Sequence, residues 1–332
     1  MADTPGGRDS LAALIQAAGK RFAPPQSDYQ RVRAASHASW RAMVRRRARR
    51  RWAFALAASV ILALAGVGLW RGLETREVAM VATLNMTHGA LFASDASGAE
   101  WRWVPDAHTS MPAGTRLRTV AAAGAALHLD AGSSLRMDEN TDLLLQPENR
   151  VELLAGRVYV DTERTDGDDA VEIVTAFGTL RDRGTQFEVR ATHTGLRVRT
   201  REGSVTLVQA NTTRVIECAL GEELHIDASG RVERGTISPF DAEWSWAEAL
   251  SEPPPGEQLP LLQFLEWVSH ETGRRVKYAT PETEARVRRV VLNGPTPNVP
   301  PVRALALTLA TTDIDYVLLE DGSILLRARQ TH

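Results

Sequence analysis

Histidine, cysteine and clustered carboxylates are the side chains of this chain that could do chemistry, as metal ligands, nucleophiles or proton carriers. The eight histidines are dispersed, and none stands in the H-E-x-x-H arrangement that binds zinc. They are His37, His88, His108, His128, His193, His225, His270 and His332. Cys218 is the single cysteine, so it can form neither an internal disulfide nor a thiolate metal cluster. Residues 165–169 lack the full spacing of a calcium loop and favour a turn.

No catalytic or nucleotide-binding motif supplies another chemistry. The sequence has no G-x-S-x-G elbow, no C-x-x-C, no kinase signature and no glycine-rich loop that opens a helix. Only folding could bring His128, Glu152 and His225 together, and a lone strand histidine is usually a surface residue. We therefore expect a protein that is not an enzyme and that uses no metal and no cofactor.

An uncharged run at residues 52–70 is the clearest element of the sequence. Its 19 residues, WAFALAASVILALAGVGLW, would span about 28 Å as a helix, enough for one bilayer crossing. Seven arginines lie between residues 41 and 51, whereas the flank after the run balances two arginines with two glutamates. This imbalance predicts a single-pass inner-membrane protein with a cytoplasmic N-terminus and a periplasmic C-terminus. A buried globular helix, or a signal cleaved after Ala63-Leu64-Ala65, is the alternative.

Residues 1–51 form a basic cytoplasmic segment with two predicted amphipathic helices. The first covers residues 11–20 and ends at Gly19, and the second begins near residue 27. The second helix carries an apolar stripe at spacings of three and four residues, bounded by arginines. The stripe consists of Tyr29, Val32, Ser36, Trp40 and Met43. Helices this short cannot bury their apolar faces against each other, so we expect the stripe to dock into a partner protein. The alternative is a solvated helix whose arginines contact membrane lipid.

After a linker at residues 71–80, short alternating segments predict an all-β domain over residues 81–238. Seven pairs of apolar residues keep an i, i+2 spacing: Leu127 and Leu129, Val151 and Leu153, Val158 and Val160, Val171 and Ile173, Phe187 and Val189, Leu196 and Val198, Val205 and Leu207. Glycines separate the segments at intervals typical of turns in a sandwich, a barrel or a short β-solenoid. The fold class is therefore mainly β.

Three pieces of this region carry a family resemblance. They are RVELLAGRVYV at residues 150–160, VTAFGTLRDRGTQFEV at 174–189 and RTREGSV at 199–205. In order, they resemble the R-x-V-x-L-x-x-G, V-x-T, G-T-x-F-x-V and E-G-x-V segments of the FecR family of transmembrane sigma-factor regulators. Asp182 and Arg183 depart from the apolar residues that often precede G-T in that family. The motif residues are expected to build the fold: Gly156, Gly184, Thr185, Phe187, Val189 and Gly203.

The C-terminal part is predicted to form a linker at residues 239–258 and a small α+β domain at 259–328. The linker holds Trp244, Trp246 and three consecutive prolines. Beyond it, the pattern predicts an αββαββ order, with a final hairpin that turns at Asp321-Gly322. This order is similar to the C-terminal domain of FecR-type regulators and to the secretin and TonB short N-terminal domain. The resemblance implies docking of a peptide or strand, for example the signalling domain of an outer-membrane TonB-dependent transporter.

These features together indicate a transmembrane signal transducer that regulates an extracytoplasmic-function sigma factor, as an anti-sigma factor does. Direct binding to nucleic acid is not expected, because the basic residues lie beside the membrane run and show no helix-turn-helix pattern. The alternative is a membrane-anchored β-domain that binds envelope glycan or serves as a scaffold. An adjacent sigma-factor gene would favour the first interpretation.

Overall fold

The computed structural model describes residues 13–19, 25, 30, 33, 79–105, 107–130, 132–162, 170–182, 184–210, 212 and 214–329. The chain divides into two compact units, Met1–Arg76 and Glu77–His332. In the first unit, residues 13–17 are helical and Gly19 adopts a left-handed φ of 61°, which agrees with the predicted end of that helix. The docking stripe Tyr29, Val32, Trp40 and Met43 and the run 52–70 lie outside the described residues. None of the helices within the described ranges is long and apolar enough to cross a membrane.

The second unit begins with a β-sandwich whose two sheets share one strand. The first sheet, here sheet A, is antiparallel throughout. In spatial order it contains β4 (Ser110–Pro112), β1 (Met80–His88), β6 (Gly124–Leu129), β7 (Ser134–Met137), β9 (Arg150–Asp161), β12 (Gln186–Ala191), β13 (Gly195–Glu202), β16 (Glu222–Asp227) and β17 (Val232–Thr236). Thus β9 stands at the centre of the sheet, between strands from the two halves of the domain.

The second sheet, sheet B, also has β9 at its centre. In spatial order it contains β3 (Arg102–Trp103), β2 (Leu91–Ser94), β5 (Arg116–Thr119), β8 (Asp142–Gln146), β9, β10 (Glu172–Thr175), β11 (Gly178–Asp182), β14 (Ser204–Gln209) and β15 (Val215–Ala219). Only the pairing of β9 with β10 is parallel among these described strands. The first part of β9 therefore belongs to sheet B, and its last part belongs to sheet A.

Gly156 lies where β9 leaves one sheet for the other. Its φ is +99°, a value that residues with a side chain rarely adopt. A Cβ atom there would lie 2.5 Å from Thr141 Oγ1 and 2.8 Å from the carbonyl oxygen of Asn140. The glycine of the R-x-V-x-L-x-x-G segment thus lets one strand serve both sheets.

The apolar pairs expected to form a core do so. Leu127, Val158 and Phe187 from sheet A meet Leu143 and Ile173 from the sheet B side in one buried cluster. Each fully buried side chain of this size contributes about 1.5–3 kcal/mol relative to its exposed state. All seven predicted i, i+2 pairs are buried, and two packed layers make the sandwich the correct choice among the architectures considered.

Residues 239–258 differ from the predicted linker. A 3₁₀-helix (Ala242–Trp244) continues into the short helix α1 (Ser245–Glu248). Trp244 is fully buried and packs with Tyr159 and Ile237, and its indole N–H donates to the carbonyl of Ser238 at 2.8 Å. The first half of the segment is therefore folded onto sheet A, because an indole of that size gains more from burial than from exposure.

The C-terminal domain has more elements than the αββαββ order predicted. They are β18 (Gln258–Pro260), α2 (Leu261–Thr272), β19 (Val276–Tyr278), α3 (Pro281–Val287), β20 (Val291–Asn293), α4 (Pro301–Ala310), β21 (Ile314–Leu318) and β22 (Ile324–Ala328). β18 pairs with β20, while β22 lies between β19 and β21. The elements missing from the prediction are β18 and α3. Helix α3 buries only Thr283 and Val287, too little for a periodic apolar signal, although Thr280 caps its start.

Candidate functional site

The outer face of sheet A carries a row of charged and aromatic side chains. The pairing of neighbouring strands places five of these side chains next to one another across five strands: Arg136, Tyr159, Glu188, Arg199 and Glu223. Outward polar residues in a sandwich normally face water. Here Tyr159 and Glu188 are fully buried, because residues 238–251 and helix α2 cover the face. We call this region the sheet A interface.

Arg136 and Glu271 form the central ion pair of the interface. Arg136 Nη1 and Nη2 donate to the two carboxylate oxygens of Glu271 at 2.7 and 2.8 Å, and Nη1 also donates to the carbonyl of Ala247 at 2.9 Å. Both side chains are almost entirely buried. Burial alone would lower the pKa of Arg136, but the charge of Glu271, its hydrogen bonds to Arg136 and the nearby Tyr159 and Asp161 together outweigh burial, and the pKa is raised. A bidentate pair in this setting fixes both distance and orientation between β7 and α2.

Arg201 is a second buried arginine that reaches the C-terminal domain. Its Nε donates to the carbonyl of Pro239 at 2.6 Å, Nη1 to the carbonyl of Glu271 at 2.8 Å and Nη2 to the carboxylate of Glu248 at 2.6 Å. Its guanidinium also stacks over Trp244, 5.3 Å from the ring centroid. One side chain from β13 therefore ties together α1, α2 and the segment between the two domains.

Tyr159 and Trp244 supply the apolar part of the interface. Their rings meet edge to face with centroids 6.0 Å apart, and the guanidinium of Arg136 lies 5.3 Å from the tyrosine ring. Desolvation raises the pKa of Tyr159, so the phenol stays neutral. Its hydroxyl is buried without a hydrogen-bond partner among the described residues. The aromatic pair gives residues 242–248 an apolar contact with sheet A.

Glu188 anchors a separate charged group farther from α2. Arg197 Nη2 donates to Glu188 Oε1 at 2.7 Å, and the indole N–H of Trp246 donates to Oε2 at 3.1 Å. Arg157 stacks over Trp246 at 4.6 Å, and its Nη1 lies 3.7 Å from Glu188. Arg199 bridges Glu223 and Glu243, the latter at 3.0 Å. A fully buried carboxylate is thus compensated by several cations and one indole, as a buried charge requires.

His270 and Asp161 lie at the rim of the interface. His270 Nε2 is 2.8 Å from Asp161 Oδ2, and Gln186 Nε2 is 2.8 Å from the same imidazole nitrogen. The hydrogen bond to Asp161 raises the pKa of His270, against a smaller effect of burial that lowers it. The imidazole is 44% exposed, whereas Asp161 is 9% exposed. This pair is the part of the interface that solvent protons reach.

A cavity of about 760 Å³ opens beside this rim, between the β-sandwich and the C-terminal domain. Arg201, Glu202 and Leu220 line it on one side, and Leu262, His270 and Tyr278 on the other. Its walls mix charge with apolar surface. Nowhere in the described ranges could a group of three or more His, Cys, Asp or Glu side chains hold a metal ion. In particular, His128, Glu152 and His225 lie on different strands, where His128 contacts Asn85, Glu152 contacts Gln146, and His225 contacts Glu223.

The family-motif residues lie away from the interface, in the core and its turns. Phe187 and Val189 are fully buried in the main core. Gly184 (φ +66°) precedes Thr185, whose N–H donates to Thr162 Oγ1 at 2.8 Å. A Cβ on Gly203 would lie 2.5 Å from Thr185 Cγ2, so this turn needs glycine.

The residue that departs from the family pattern is also accommodated. Asp182 is buried, and its carboxylate accepts from Thr185 Oγ1 at 3.0 Å and from the N–H of Val171 at 2.9 Å. These contacts give the charged side chain hydrogen-bond partners inside the fold.

The interface residues themselves were missed by sequence reasoning. Arg136, Glu188, Arg201 and Glu271 occupy ordinary polar positions of strands and a helix. The available signal was the tryptophan pair at 244 and 246, because a large aromatic residue in a supposed linker indicates that the segment packs against something.

The middle part of the β domain matches a known protein family. Residues 115–206 match the family model described as FecR protein. The match runs from the start of β5 into β14 and includes all three sequence pieces that carried the resemblance. The FecR resemblance is therefore confirmed, and the chain contains a FecR domain.

Two solved structures are also similar to this chain. They are two crystal structures, at 2.50 and 1.65 Å resolution, of a proposed anti-sigma factor from Parabacteroides distasonis ATCC 8503. The sequence identities are 14% and 15%, and each comparison covers 65% of this chain and 99% of the other chain with a TM-score of 0.35. No curated protein sequence matches the chain.

Proposed function

We propose that this protein is a transmembrane signal transducer that regulates an extracytoplasmic-function sigma factor. The FecR domain at residues 115–206 is the single observation that carries the proposal. The order of the chain supports it: a basic segment with an apolar stripe comes first, then an uncharged run long enough for one crossing, then the FecR domain. In this arrangement a cytoplasmic segment holds the sigma factor, and residues 79–329 receive the signal in the periplasm.

Topology is the first test of this proposal. Alkaline phosphatase fused after Ser238 should be active, and a cytoplasmic reporter fused there should be silent, if the arginine cluster keeps the N-terminus inside. The same two reporters fused before residue 52 serve as the matched control and should give the reverse pattern. The opposite result would place the FecR domain in the cytoplasm.

The apolar stripe is the proposed sigma-factor contact. Replacing Trp40 and Met43 by alanine together removes two large apolar side chains from one end of the stripe. The affinity-tagged full chain, solubilised in mild detergent, should then recover much less sigma factor while its membrane insertion is unchanged. The control pair Arg31→Ala with Arg41→Ala, on the other side of the predicted helix, should recover the wild-type amount. Equal recovery by both double variants would reject the docking stripe.

The edge strand β19 is the proposed receiving surface for a periplasmic partner, the signalling domain of a TonB-dependent transporter. Among the strands of the described residues, β19 pairs only with β22. The carbonyl of Arg275 accepts from Ile324, and the N–H of Ala279 donates to Leu326. Alternate residues of a strand point to opposite sides, so Val276 and Tyr278 direct their main-chain groups to the open edge. An extended segment could add there as a further strand.

A proline tests this edge without removing a bond to β22. Val276→Pro eliminates an N–H that faces outward, so the domain should fold while strand addition is blocked. We expect the full chain carrying Val276→Pro to lose binding to the transporter's signalling domain. Lys277→Ala, which alters only an exposed side chain, should bind normally. Unchanged binding by both variants would move the receiving surface elsewhere.

A further inference from the structure

The C-terminal domain is attached to sheet A by polar contacts, while the apolar cores of the two parts stay separate. One core cluster lies between sheets A and B, and another lies within residues 259–326. The contacts that cross between them involve Arg136, Arg201, Glu271, His270 and Asp161. Separation of the two parts would therefore expose charged groups that water can solvate and the Phe240 ring, which packs against Gly322 and Arg274. Neither core would open.

The crossing contacts concentrate at the end of one helix. His270 and Glu271 occupy the last turn of α2, and Gly273 ends the helix with a φ of +61° against the carbonyl of Pro239. Residues 242–248 have their own apolar contact with sheet A, because Trp244 and Ala247 pack with Tyr159. Between those residues and α2, the chain runs through Pro253–Pro255 outside any helix or strand. The covalent connection thus permits α2 to move while α1 stays in place.

We propose that His270 and Glu271 form a proton-dependent clasp that holds the C-terminal domain on sheet A and releases it when the imidazole loses its proton. The bidentate pair of Arg136 with Glu271 supplies one part of the attachment. The contact of His270 with Asp161 supplies the part that depends on a proton. The inference concerns the junction within residues 77–332 and does not rest on the sigma-factor proposal.

The groups around the imidazole set the direction of the response. Asp161 on β9 faces the imidazole directly. Glu271 is its neighbour on the same helix, and Glu202 at the end of β13 adds a third negative charge. Gln186 on β12 is neutral, while Arg136 on β7 and Arg201 on β13 are positive and already bonded to Glu271. The carboxylates favour the protonated imidazole, so the pKa of His270 is raised. The closed form is therefore at full strength below the ordinary histidine pKa of about 6.5 and weakens as the pH rises through the folded value.

Asp161 explains why loss of one proton opens the contact. Its Oδ1 is buried without a hydrogen-bond partner among the described residues, and Oδ2 relies on His270 and, at 3.3 Å, on Gln186. When His270 is neutral, the buried carboxylate loses its nearest positive partner. Asp161 is only 9% exposed, so movement of the helix end away from the sheet would let more water solvate that carboxylate.

Hydrogen exchange of the full chain in detergent tests the clasp. Amides of residues 268–274 and of β22 are followed between pH 5.5 and 8.5, with each rate corrected for intrinsic exchange at that pH. We expect protection at residues 268–274 to fall severalfold across this range while β22 keeps its protection. His270→Gln, which cannot change charge, should show no pH-dependent loss. His225→Gln is the matched control, since His225 also pairs with a glutamate on sheet A but lies far from α2 in the chain, and it should respond as the wild type does.

Two outcomes would overturn the clasp. Protection at residues 268–274 that does not change with pH in the wild type removes the proton dependence. In Glu271→Gln, which weakens the attachment at every pH, residues 268–274 should lose protection while β22 remains protected. If β22 loses protection together with residues 268–274 in this variant, the domain unfolds when it detaches and no separable clasp exists.

Discussion

The two outer faces of the sandwich use the same residue types in opposite settings. On sheet B, Glu172 pairs with Arg150 at 3.6 Å and with Arg181 at 3.4 Å, and the arginines are 45% and 66% exposed. On sheet A, Glu188 has no exposed surface, and its partner Arg197 is 15% exposed. Cross-strand ion pairs in water contribute little, whereas removal of one partner from a buried pair leaves an uncompensated charge. Whether another segment covers a strand therefore decides how strongly its ion pairs affect stability, more than the strand's own sequence does.

This difference teaches that sheet A is built to receive other parts of the chain. Sheet B presents ion pairs and the neighbouring apolar residues Val208 and Val215 to solvent. Sheet A instead presents a continuous charged row whose partners arrive from residues 238–251 and α2. Four substitutions can break or sharpen the comparison.

The largest effect is expected at Gly156, where β9 passes from sheet B to sheet A. Gly156→Ala forces a side chain into a left-handed conformation and against the main chain of Asn140, so we expect a loss above about 4 kcal/mol. The abundance and protease resistance of the full chain in membranes would report it. Gly114→Ala is the control, since Gly114 has a similar φ of +84° but open space around it. Its cost should be only the conformational strain, about 1–2 kcal/mol. Similar losses for both variants would contradict a special role of the shared strand.

Arg136→Met should be next in size. It leaves Glu271 buried without its partner, which costs about 3–5 kcal/mol. The shift of the urea unfolding transition of the detergent-solubilised full chain measures it. Adding Glu271→Met should restore most of the stability, because an apolar pair of similar volume replaces the ion pair. A double variant as unstable as the single one would show that the charge is not the cause.

Trp246→Phe should have a moderate effect. It keeps a ring near Arg157 but removes the indole N–H that donates to Glu188, and a hydrogen bond to a charged group contributes about 1.5–3 kcal/mol. The same unfolding measurement applies. Trp103→Phe on the sheet B side, where the indole is 62% exposed, should change stability by less than about 0.5 kcal/mol. The comparison of the two faces fails if Trp103 matters more than Trp246.

The smallest effect is expected at Arg181. Arg181→Gln removes an exposed partner of Glu172 and should cost less than about 1 kcal/mol. Arg197→Gln is the equivalent change on sheet A and should cost clearly more, because it acts on the fully buried Glu188. Equal unfolding midpoints for these two variants would mean that water screens both faces alike.

The core of the β domain could be predicted from the sequence, but the segments that cover sheet A could not. Alternation at Leu127 and Leu129, or at Phe187 and Val189, identifies the buried side because water excludes one face of a strand. The other face gives no such signal. Arg136 and Glu188 would occupy the same positions whether solvent or another segment lay above them, so the sheet A interface required the folded structure.

The C-terminal domain shows the same limit at the level of elements. Helix α2 and the turn at Asp321-Gly322 carry strong local signals and lie where predicted. Strand β18 has three residues and α3 has seven, and elements this short are stabilised by their neighbours more than by their own pattern. The proline run correctly marked a change in the chain, but the residues before it were already folded.

The shared strand β9 has a consequence for the order in which the chain folds. Strands β1 to β8 are synthesised first, and without β9 they leave two open edges, at β7 and at β8. Unpaired edges of this kind recruit other chains. β9 closes both at once and offers two new edges, to β12 and to β10. A nascent chain is therefore most prone to aggregation just before residue 150 emerges, and a chaperone that shields it would have to stay bound until that one strand is complete.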